Sequence, residues 1–187
     1  MSAAFDAPLQ PDVLAAARQG DRRAQERIYR TYERAVYSLA RRMTADADAA
    51  MDIAQDSFMH AFRYLHQYRG ESPFGHWLRS VAASKALMHL RAGRRFLEIF
   101  TSEVEPDEAG GFEDVSTIDL ERALALLPPL PRSVLWLYHV EGYTHPEIAE
   151  LSGKTVSFSK SQLSRAHQKL RALLQPADGA GAPAAAA

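Results

Sequence analysis

The sequence predicts an all-α protein in which two small helical domains are joined by a flexible acidic linker, the second domain containing a helix-turn-helix. Two observations predict the helices: apolar residues recur at the 3.6-residue helical period over most of the chain, and no segment alternates convincingly at period two. A third observation predicts two domains, because an acidic stretch with glycine and proline separates two basic blocks.

The distribution of charged residues along the chain indicates where the domain boundaries lie, although the net charge is only −1. Residues 1–95 have 15 basic and 10 acidic side chains, residues 96–121 have 9 acidic and no basic ones, and residues 122–187 have 7 basic and 4 acidic ones. A stretch that repels itself in this way is expected to be flexible. We therefore predict five segments: an N-terminal tail (1–11), a first helical domain (12–95), an acidic linker (96–118), a second helical domain (119–174) and an Ala-rich disordered tail (175–187).

The first domain has three stretches of helical periodicity. The pattern covers 12–43, with a break at Gly20-Asp21, and then 52–68. Pro73 interrupts it, because proline lacks an amide hydrogen and disfavours a helical conformation in the preceding residue. The period resumes over 74–95.

The second domain ends in the pattern of a helix-turn-helix. Residues 120–140 hold two helical patterns separated by a proline-rich turn. Thr144-His145-Pro146-Glu147 has the form of a capping box, in which the Thr hydroxyl accepts from the Glu amide and the Glu side chain reaches back. We expect this helix to end near Leu151, Gly153 to allow a left-handed turn, and Thr155 to cap the next helix.

That last helix is unusually rich in hydroxyl groups interleaved with basic side chains. Serine is a mediocre helix former, so a helix that only filled a core would prefer Leu and Ala. Ser, Lys and Arg side chains are the groups that contact phosphates and base edges when the second helix of such a motif lies in the DNA major groove. The same pattern also fits an αα-corner with a solvated polar face, so this stretch alone leaves both interpretations open.

Three sequence blocks decide between them. GDRRAQERIYRTYERAVYSLARRM, DIAQDSFMHAFRYLHQYRGESPFGHWLRSVA and LERALALLPPLPRSVLWLYHVEGYTHPEIAELSG follow one another in order. From Asp12 to Leu174 the chain resembles the extracytoplasmic-function (ECF) group of bacterial sigma factors, which recruit RNA polymerase core to promoters. The middle block is the most specific, since it holds Gln55-Asp56, the loop 68–74 and Trp77-Leu78.

The resemblance implies that the first domain recognises and melts the minus-ten promoter element. A loop would capture a base flipped from the melted strand, and the helix after it would lie against the DNA. Unstacking a base costs a few kcal/mol, which a pocket for that base can offset. The residues implied are Tyr68, Arg69, Gly70, Glu71, Ser72, Phe74, Arg79, Ser84, Lys85 and Arg91. For Phe74 packing is the alternative to base contact, and Trp77 is expected in the core.

The resemblance further implies that the second domain reads the minus-thirty-five element. By position, its contacts would be Ser157, Lys160, Ser161, Gln162, Ser164 and Arg165. Gln is a good partner for adenine, and Lys or Arg for guanine. Docking on the polymerase clamp would use Asp52, Gln55 and Asp56.

The clamp-docking segment departs from the family pattern. Family members usually have Asp-Ala-Glu-Asp before the Gln-acidic pair, whereas this chain has Ala49-Ala50-Met51-Asp52. Exposed ion pairs are worth about 0.2–1 kcal/mol each, so the missing acids should weaken docking. One hypothesis is that phosphorylation of Thr44, in an exposed acidic turn, or of Ser57 supplies the charge; the alternative is a weaker but constitutive sigma factor.

The helix-turn-helix also departs from the pattern. Ser152, Lys154 and Ser159 stand where family members usually have buried apolar residues. Burying them without partners would cost about 1–3 kcal/mol each. We expect that Phe158 can rotate inward in place of Ser159, which would change the serines that face DNA.

Other classes of function find little support in the sequence. There is no Cys, the seven His residues show no metal-ligand spacing, and no catalytic motif or phosphate loop is present, so we expect no catalytic residues, metal or cofactor. No stretch reaches the roughly 20 apolar residues of a membrane span. The absence of Cys fits a cytoplasmic protein. The expected partners are RNA polymerase core, promoter DNA, and an anti-sigma factor or a Ser/Thr kinase. The alternatives are a DNA-binding regulator that never touches polymerase, and a helical enzyme or scaffold with a pocket near Trp77.

Overall fold

The computed structural model describes residues 3–100 and 120–174, with side chains described for 4–93, 120 and 122–174. Both ranges are helical, and neither contains a β-strand, in agreement with the predicted all-α class. The predictions for most of the acidic linker and for the Ala-rich tail lie outside the described residues.

Four helices form the first domain and four the second. Those of the first domain are α1 (Pro11–Arg18), α2 (Arg22–Thr44), α3 (Ala47–Arg63) and α4 (Phe74–Phe100), with short 3-10 turns at Ala3–Phe5 and Leu65–Gln67. Those of the second are α5 (Leu120–Ala125), α6 (Pro129–His139), α7 (His145–Ser152) and α8 (Val156–Leu174).

Three helix boundaries differ from the sequence-based prediction. Helix α3 begins about one turn earlier, because the Asp46 carboxylate accepts from the amides of Asp48 and Ala49 at 2.9 and 3.0 Å and so caps it. Helix α6 begins at Pro129 rather than after the prolines, since proline is well tolerated in a first turn. Helix α4 continues to Phe100, into the segment predicted as linker.

Helix α2 is the centre of the first domain and packs against α1, α3 and α4. It buries one apolar stripe at helical spacing, including Ile28, Tyr32, Val36 and Leu39. Removing each such side chain from water contributes about 1.5–3 kcal/mol. This packing holds α3 and α4, the helices with the predicted polymerase and DNA contacts, in a defined relation.

The N-terminal segment is part of this core, although the sequence predicted a tail over 1–11. Phe5 is 1% exposed, and the carbonyl of Ala7 accepts from the Tyr32 hydroxyl at 2.7 Å. Gly75, in the first turn of α4, makes room for the segment: a Cβ there would lie 2.0 Å from the Phe5 carbonyl oxygen. The first domain therefore begins near residue 3.

The second domain packs α8 against α5, α6 and α7. Its core includes Leu137, Ile148, Leu163 and Ala166, which come from three helices. The two domains also pack against each other, with α6 on the C-terminal end of α2 and both α6 and α7 on α4. Within the described ranges, no helix combines the length and the apolar character needed to cross a bilayer.

Candidate functional site

The loop before α4 projects four predicted minus-ten residues into solvent. The Tyr68 hydroxyl donates to the Ser72 carbonyl at 2.6 Å and closes the loop on itself. Gly70 takes a φ of +81°, a conformation that costs glycine little. The residues at the tip of the loop are consequently exposed: Arg69, Gly70, Glu71 and Ser72. The loop presents a cation, a hydroxyl and backbone groups in a conformation that does not depend on a binding partner.

Phe74 is buried, which corrects the expectation that it contacts a base. It is 4% exposed, and its ring lies 5.7 Å from that of Tyr32 and 5.5 Å from that of Trp77. Tyr68 meets it edge-on at 5.4 Å. Such tilted and edge-to-face pairs stabilise a rigid aromatic cluster. The cluster serves as the base on which the exposed loop is built.

Three of the four α4 residues predicted to face DNA are engaged by the second domain. Arg79 is 8% exposed and donates through Nη1 to the Glu141 carbonyl oxygen at 3.1 Å. Arg91 donates through Nη1 to the Ser152 carbonyl at 2.7 Å, and Ser84 donates to the Leu151 carbonyl at 3.4 Å. Arg79 is thus buried, and Ser84 and Arg91 are partly exposed and bonded to the second domain, contrary to the expectation that all three face DNA.

Lys85, the fourth, lines a shallow groove between α3 and α4. Trp77, Ser80, Ser84 and His60 are among the other residues that line it. Burial, with a smaller contribution from Lys85, lowers the pKa of His60 below its usual value. His60 is therefore less protonated at neutral pH than an ordinary histidine.

The residues through which the two domains contact each other were not predicted from the sequence. Arg132 on α6 is 4% exposed and its guanidinium donates to the carbonyls of Met43 (3.2 Å) and Thr44 at the end of α2. Ser133 donates to the same Met43 carbonyl at 3.0 Å. The last carbonyls of a helix lack partners within it and favour cations. The sequence feature that could have identified these residues is the polar Arg132-Ser133 pair within the apolar run LPRSVLWL.

The helix-turn-helix is built as predicted. The Thr144 hydroxyl and the Glu147 carboxylate form the capping box, and the Thr144 amide donates to Glu147 Oε2 at 2.7 Å. Hydrogen bonds from the Thr144 hydroxyl and then its amide lower the pKa of Glu147. Gly153 ends α7 with a φ of +59°, and the Phe158 amide donates to the Thr155 hydroxyl at 3.2 Å. These caps set the angle at which α8 leaves the turn.

One face of α8 is open to solvent and one residue of the predicted set is not on it. Gln162 is 4% exposed, because it lies on the buried stripe with Ser159, Leu163 and Ala166. In this packing of α8, Gln162 is not presented to solvent, so its position does not support the expected contact with adenine. The five other predicted residues are exposed: Ser157, Lys160, Ser161, Ser164 and Arg165.

The polar residues that stand at usually apolar positions of the motif either have hydrogen-bond partners or are exposed to solvent. Ser159 is fully buried, and its hydroxyl lies 3.0 Å from His145 Nδ1. Phe158 stays partly exposed, so the expected inward rotation in place of Ser159 does not occur. Ser152 donates to the Ala149 carbonyl at 3.1 Å, and Lys154 is exposed. The polar groups of these residues are satisfied by hydrogen bonds or by solvent, without a rotation of α8 about its axis.

The predicted clamp-docking residues lie on the outer face of α3. Asp52, Gln55 and Asp56 are exposed, and the same face exposes Met51 and Met59. This face is turned away from the contacts between the domains, which involve α2 and α4 of the first domain. It is available for a partner in the arrangement observed.

Neither predicted phosphorylation residue is exposed, which corrects the description of Thr44 as part of an exposed turn. Thr44 ends α2, is 7% exposed, and donates to the Ala40 carbonyl at 2.9 Å. Ser57 is 0% exposed and donates to the Ile53 carbonyl at 2.6 Å. Phosphorylation of either hydroxyl would therefore require a local rearrangement of the first domain that frees it from its carbonyl partner.

Among the described residues, no group of three or more His, Asp or Glu side chains is arranged to hold a metal ion.

Comparison with known families matches both domains. The sigma-70 region 2 model matches residues 28–96, and the sigma-70 region 4 model matches residues 117–170. The boundary between the two matches falls in the acidic segment that the sequence predicted as linker.

Curated relatives match over most of their length. RNA polymerase sigma-H factor of Pseudomonas aeruginosa is 30% identical over 173 residues, covering 84% of this chain and 90% of the relative. ECF RNA polymerase sigma-E factor of Haemophilus influenzae is 30% identical, covering 84% and 91%. ECF RNA polymerase sigma factor SigM of Mycobacterium tuberculosis is 27% identical, covering 87% and 83%.

Two solved structures have a similar fold. The sigma factor RpoE in complex with the anti-sigma factor NepR from Bartonella quintana has a TM-score of 0.54 at 22% identity, covering 80% of this chain and 95% of that one. CnrH in complex with the cytosolic domain of CnrY has a TM-score of 0.50 at 25% identity, covering 87% and 94%.

Proposed function

The chain belongs to the extracytoplasmic-function family of RNA polymerase sigma factors, and from this premise we propose how its surfaces divide the recognition of a promoter. The family assignment sets aside a regulator that never touches polymerase and a helical enzyme or scaffold. On this proposal the chain contributes no catalytic group: polymerase, with which it works in the cytoplasm, makes the RNA.

The minus-ten element is assigned to the first domain. Arg69, Ser72 and the backbone of Gly70 form the rim that would hold an extruded base, on the rigid cluster of Tyr68, Phe74 and Trp77. Lys85 would contact the single strand of DNA. The other polar residues of α4 would join it once the second domain no longer contacts them. Cationic and aromatic groups of this kind hold single-stranded DNA through phosphate contact and stacking.

The minus-thirty-five element is assigned to α8. The observation that carries this proposal is the open face of that helix, where Lys160, Ser161 and Arg165 stand together with Ser157 and Ser164. Hydroxyls and cations near the start of a recognition helix can contact both base edges and phosphates. Gln162 is left out, because its burial supports a structural role.

Docking on the polymerase clamp is assigned to the outer face of α3, with Asp52, Gln55 and Asp56. The missing acids at Ala49 and Met51 support weak docking. Because each exposed ion pair contributes only about 0.2–1 kcal/mol, losing two of them lowers the affinity by up to roughly 30-fold.

Activation by phosphorylation is retained as a proposal for Thr44 alone, and only for an arrangement in which the second domain has left α2. Added negative charge beside the start of α3 would then replace part of the missing acidic cluster. The solved complex of the sigma factor RpoE with the anti-sigma factor NepR makes a protein of that class a further candidate partner.

Run-off transcription with purified bacterial polymerase core on a genomic promoter library tests the proposal. We expect transcripts only with the chain present, and a loss of most of them with Lys160→Ala/Arg165→Ala. Lys169→Ala, on the exposed side of the later part of α8, is the matched control. Failure of the chain to co-purify with core or to support any transcript would overturn the proposal.

A further inference from the structure

We propose that His145 and Ser159 are positioning residues for promoter selectivity: the hydrogen bond between them fixes the rotation of α8 about its axis, and with it the side chains that read the minus-thirty-five element. This inference rests on the proposed assignment of α8 to that element. It goes further by giving a role in base selection to two residues outside the proposed set of DNA contacts.

Ser159 is the single buried residue in the first turn of α8. Of residues 156–159, all described by the structure, Ser159 is 0% exposed and the other three are exposed or half-buried. The apolar part of the buried stripe starts one turn later, at Leu163. Packing of apolar side chains therefore holds the later turns of the helix, whereas the first turn depends on what Ser159 contacts.

The Ser159 hydroxyl contacts a side chain of another helix. Its Oγ lies 3.0 Å from Nδ1 of His145, the first residue of α7. Ser57 and Ser152 are also buried, but each of these hydroxyls donates to a carbonyl of its own helix. A bond within one helix satisfies a hydroxyl without linking two helices. The bond between Ser159 and His145, in contrast, links α8 to α7.

His145 is itself held in place by a third helix. Its ring stacks on the ring of Tyr138 in α6, with the centroids 4.7 Å apart and the planes inclined by 23°. A hydroxyl can donate to an imidazole nitrogen or accept from its N–H, so the bond to Ser159 forms with either tautomer of the ring. Contacts from α6 and α7 thus converge on the first turn of α8.

A small rotation of α8 is enough to change its contacts with DNA. The tip of a side chain lies about 5–6 Å from the helix axis, so a rotation of roughly 20° moves it by about 2 Å. A hydrogen bond to a base edge tolerates a range of only about 0.5 Å in length. Lys160 and Ser161 directly follow Ser159 and are exposed. Because residues near the start of a recognition helix contact base edges, the placement of these two depends on how Ser159 is held.

Phe158 favours a different rotation of the same helix. It precedes Ser159 by about 100° around the helix and is half-buried. Turning α8 so that the Phe158 ring moves inward would bury more apolar surface, which is favourable, but it would carry Ser159 away from His145. The hydrogen bond opposes that rotation, because a buried hydroxyl that loses its partner is costly. The pair thus selects the observed rotation over one that buries more of Phe158.

Transcription by the polymerase holoenzyme from a promoter library randomised at the minus-thirty-five element tests the inference. Each promoter carries a barcode in its transcribed region, so sequencing the transcripts gives the preference for each base. His145→Asn keeps a hydrogen-bonding atom at the position of Nδ1, whereas His145→Gln places it at the position of Nε2. We expect His145→Gln and Ser159→Ala to lower the discrimination between the preferred element and its single-base variants at least threefold. His145→Asn should stay within twofold of the wild type.

Ser152→Ala is the matched control, because it removes a buried hydroxyl of the same motif that is bonded within its own helix. It should change the melting temperature without changing the base preferences. Ser159→Thr keeps the hydroxyl and should restore the discrimination that Ser159→Ala loses. Circular dichroism reports whether each variant is folded. The two substitutions of His145, which is partly exposed, carry the test should Ser159→Ala unfold.

Wild-type base preferences in both His145→Gln and Ser159→Ala would overturn the inference. A shift in Ser152→Ala as large as that in Ser159→Ala would overturn it as well, because selectivity would then follow stability rather than the bond. Wild-type transcription that is indifferent to the minus-thirty-five bases would overturn the assignment of α8, on which the inference rests. Dependence of the wild type on those bases leaves the proposed function intact, whichever way the variants behave.

Discussion

The Arg79 guanidinium on α4 and the Glu141 carboxylate after α6 form a buried ion pair across the two domains, with 3.5 Å between Nη1 and Oε2. Buried pairs contribute little net stability, but removing one partner leaves an uncompensated charge. Here the two partners belong to different domains. The pair therefore acts mainly on the packing of one domain against the other, and less on the folding of either domain.

Gly75→Ala should destabilise the first domain by about 1–3 kcal/mol, because the new Cβ would meet the backbone carbonyl of Phe5 and the side chain of Tyr32. Urea unfolding measures this. The matched control is Gly93→Ala in the same helix, where nothing lies within 4 Å of the new Cβ. That change should be neutral or stabilising by up to about 1 kcal/mol. Equal effects of the two substitutions would contradict the docking of the N-terminal segment.

The second domain should lose stability as the pH falls below about 6.5, the ordinary value for histidine. Burial, and then the neighbouring His167, lower the pKa of His139, whose Nε2 lies 2.9 Å from that of His167. The unfolded chain therefore binds more protons than the folded one in this range, and stability rises with pH.

Thermal unfolding at pH 7.5 and 5.5 measures this dependence, and His139→Gln should reduce it. His89→Gln, at an exposed position of α4, is the control and should leave the dependence unchanged. A His139→Gln variant with the full wild-type difference between the two pH values would argue against the role of the His pair.

Lys160→Ala and Gln162→Ala should separate DNA contact from packing on α8. Loss of the exposed Lys160 should weaken promoter binding by the holoenzyme and reduce the salt dependence by about one counterion, without lowering stability. Gln162 is buried, so its truncation should lower the melting temperature and leave the salt dependence unchanged. Fluorescence anisotropy over a salt series, paired with thermal unfolding, gives both readings. The reverse pattern would mean that α8 presents another face to DNA.

Thr44→Glu should raise the affinity for polymerase core by up to about fivefold, since one exposed charge pair is worth at most about 1 kcal/mol. It should also weaken the contact between α6 and the end of α2, because Thr44 is buried beside Arg132. Thr44→Gln has the same length without the charge and separates the two effects. Core binding that rises equally in both variants would show that the gain does not come from the added charge, and no gain in either would count against activation at this residue.

Much of the architecture was predictable because helix periodicity, capping residues and turn glycines act over a few residues. The 3.6-residue pattern placed every long helix, and Thr144, Glu147 and Gly153 marked the helix-turn-helix correctly. The family motifs located the loop before α4 and the recognition helix. Boundaries were less accurate, as at α3, where the cap at Asp46 was not weighed against the apolar pattern.

The accessibility of the site residues was harder to predict. Spacing along α8 shows that Gln162 and Ser159 share a face with Leu163, but whether that face is the buried one depends on what α6 and α7 place against it. Likewise, nothing local in the N-terminal stretch shows that Phe5 packs beside Tyr32 and Gly75, which lie far along the chain.

Local interactions thus established the helices, the two domains and the helix-turn-helix motif, since each depends on neighbours within a turn or two. Only the tertiary structure showed that Arg79, Ser84 and Arg91 meet the second domain instead of solvent. That outcome depends on two opposing contributions: the free-energy cost of burying charged groups, and the gain from pairing them with residues some 60 positions away in the chain. Such a balance is set by the relative placement of whole helices, which no short stretch of sequence encodes.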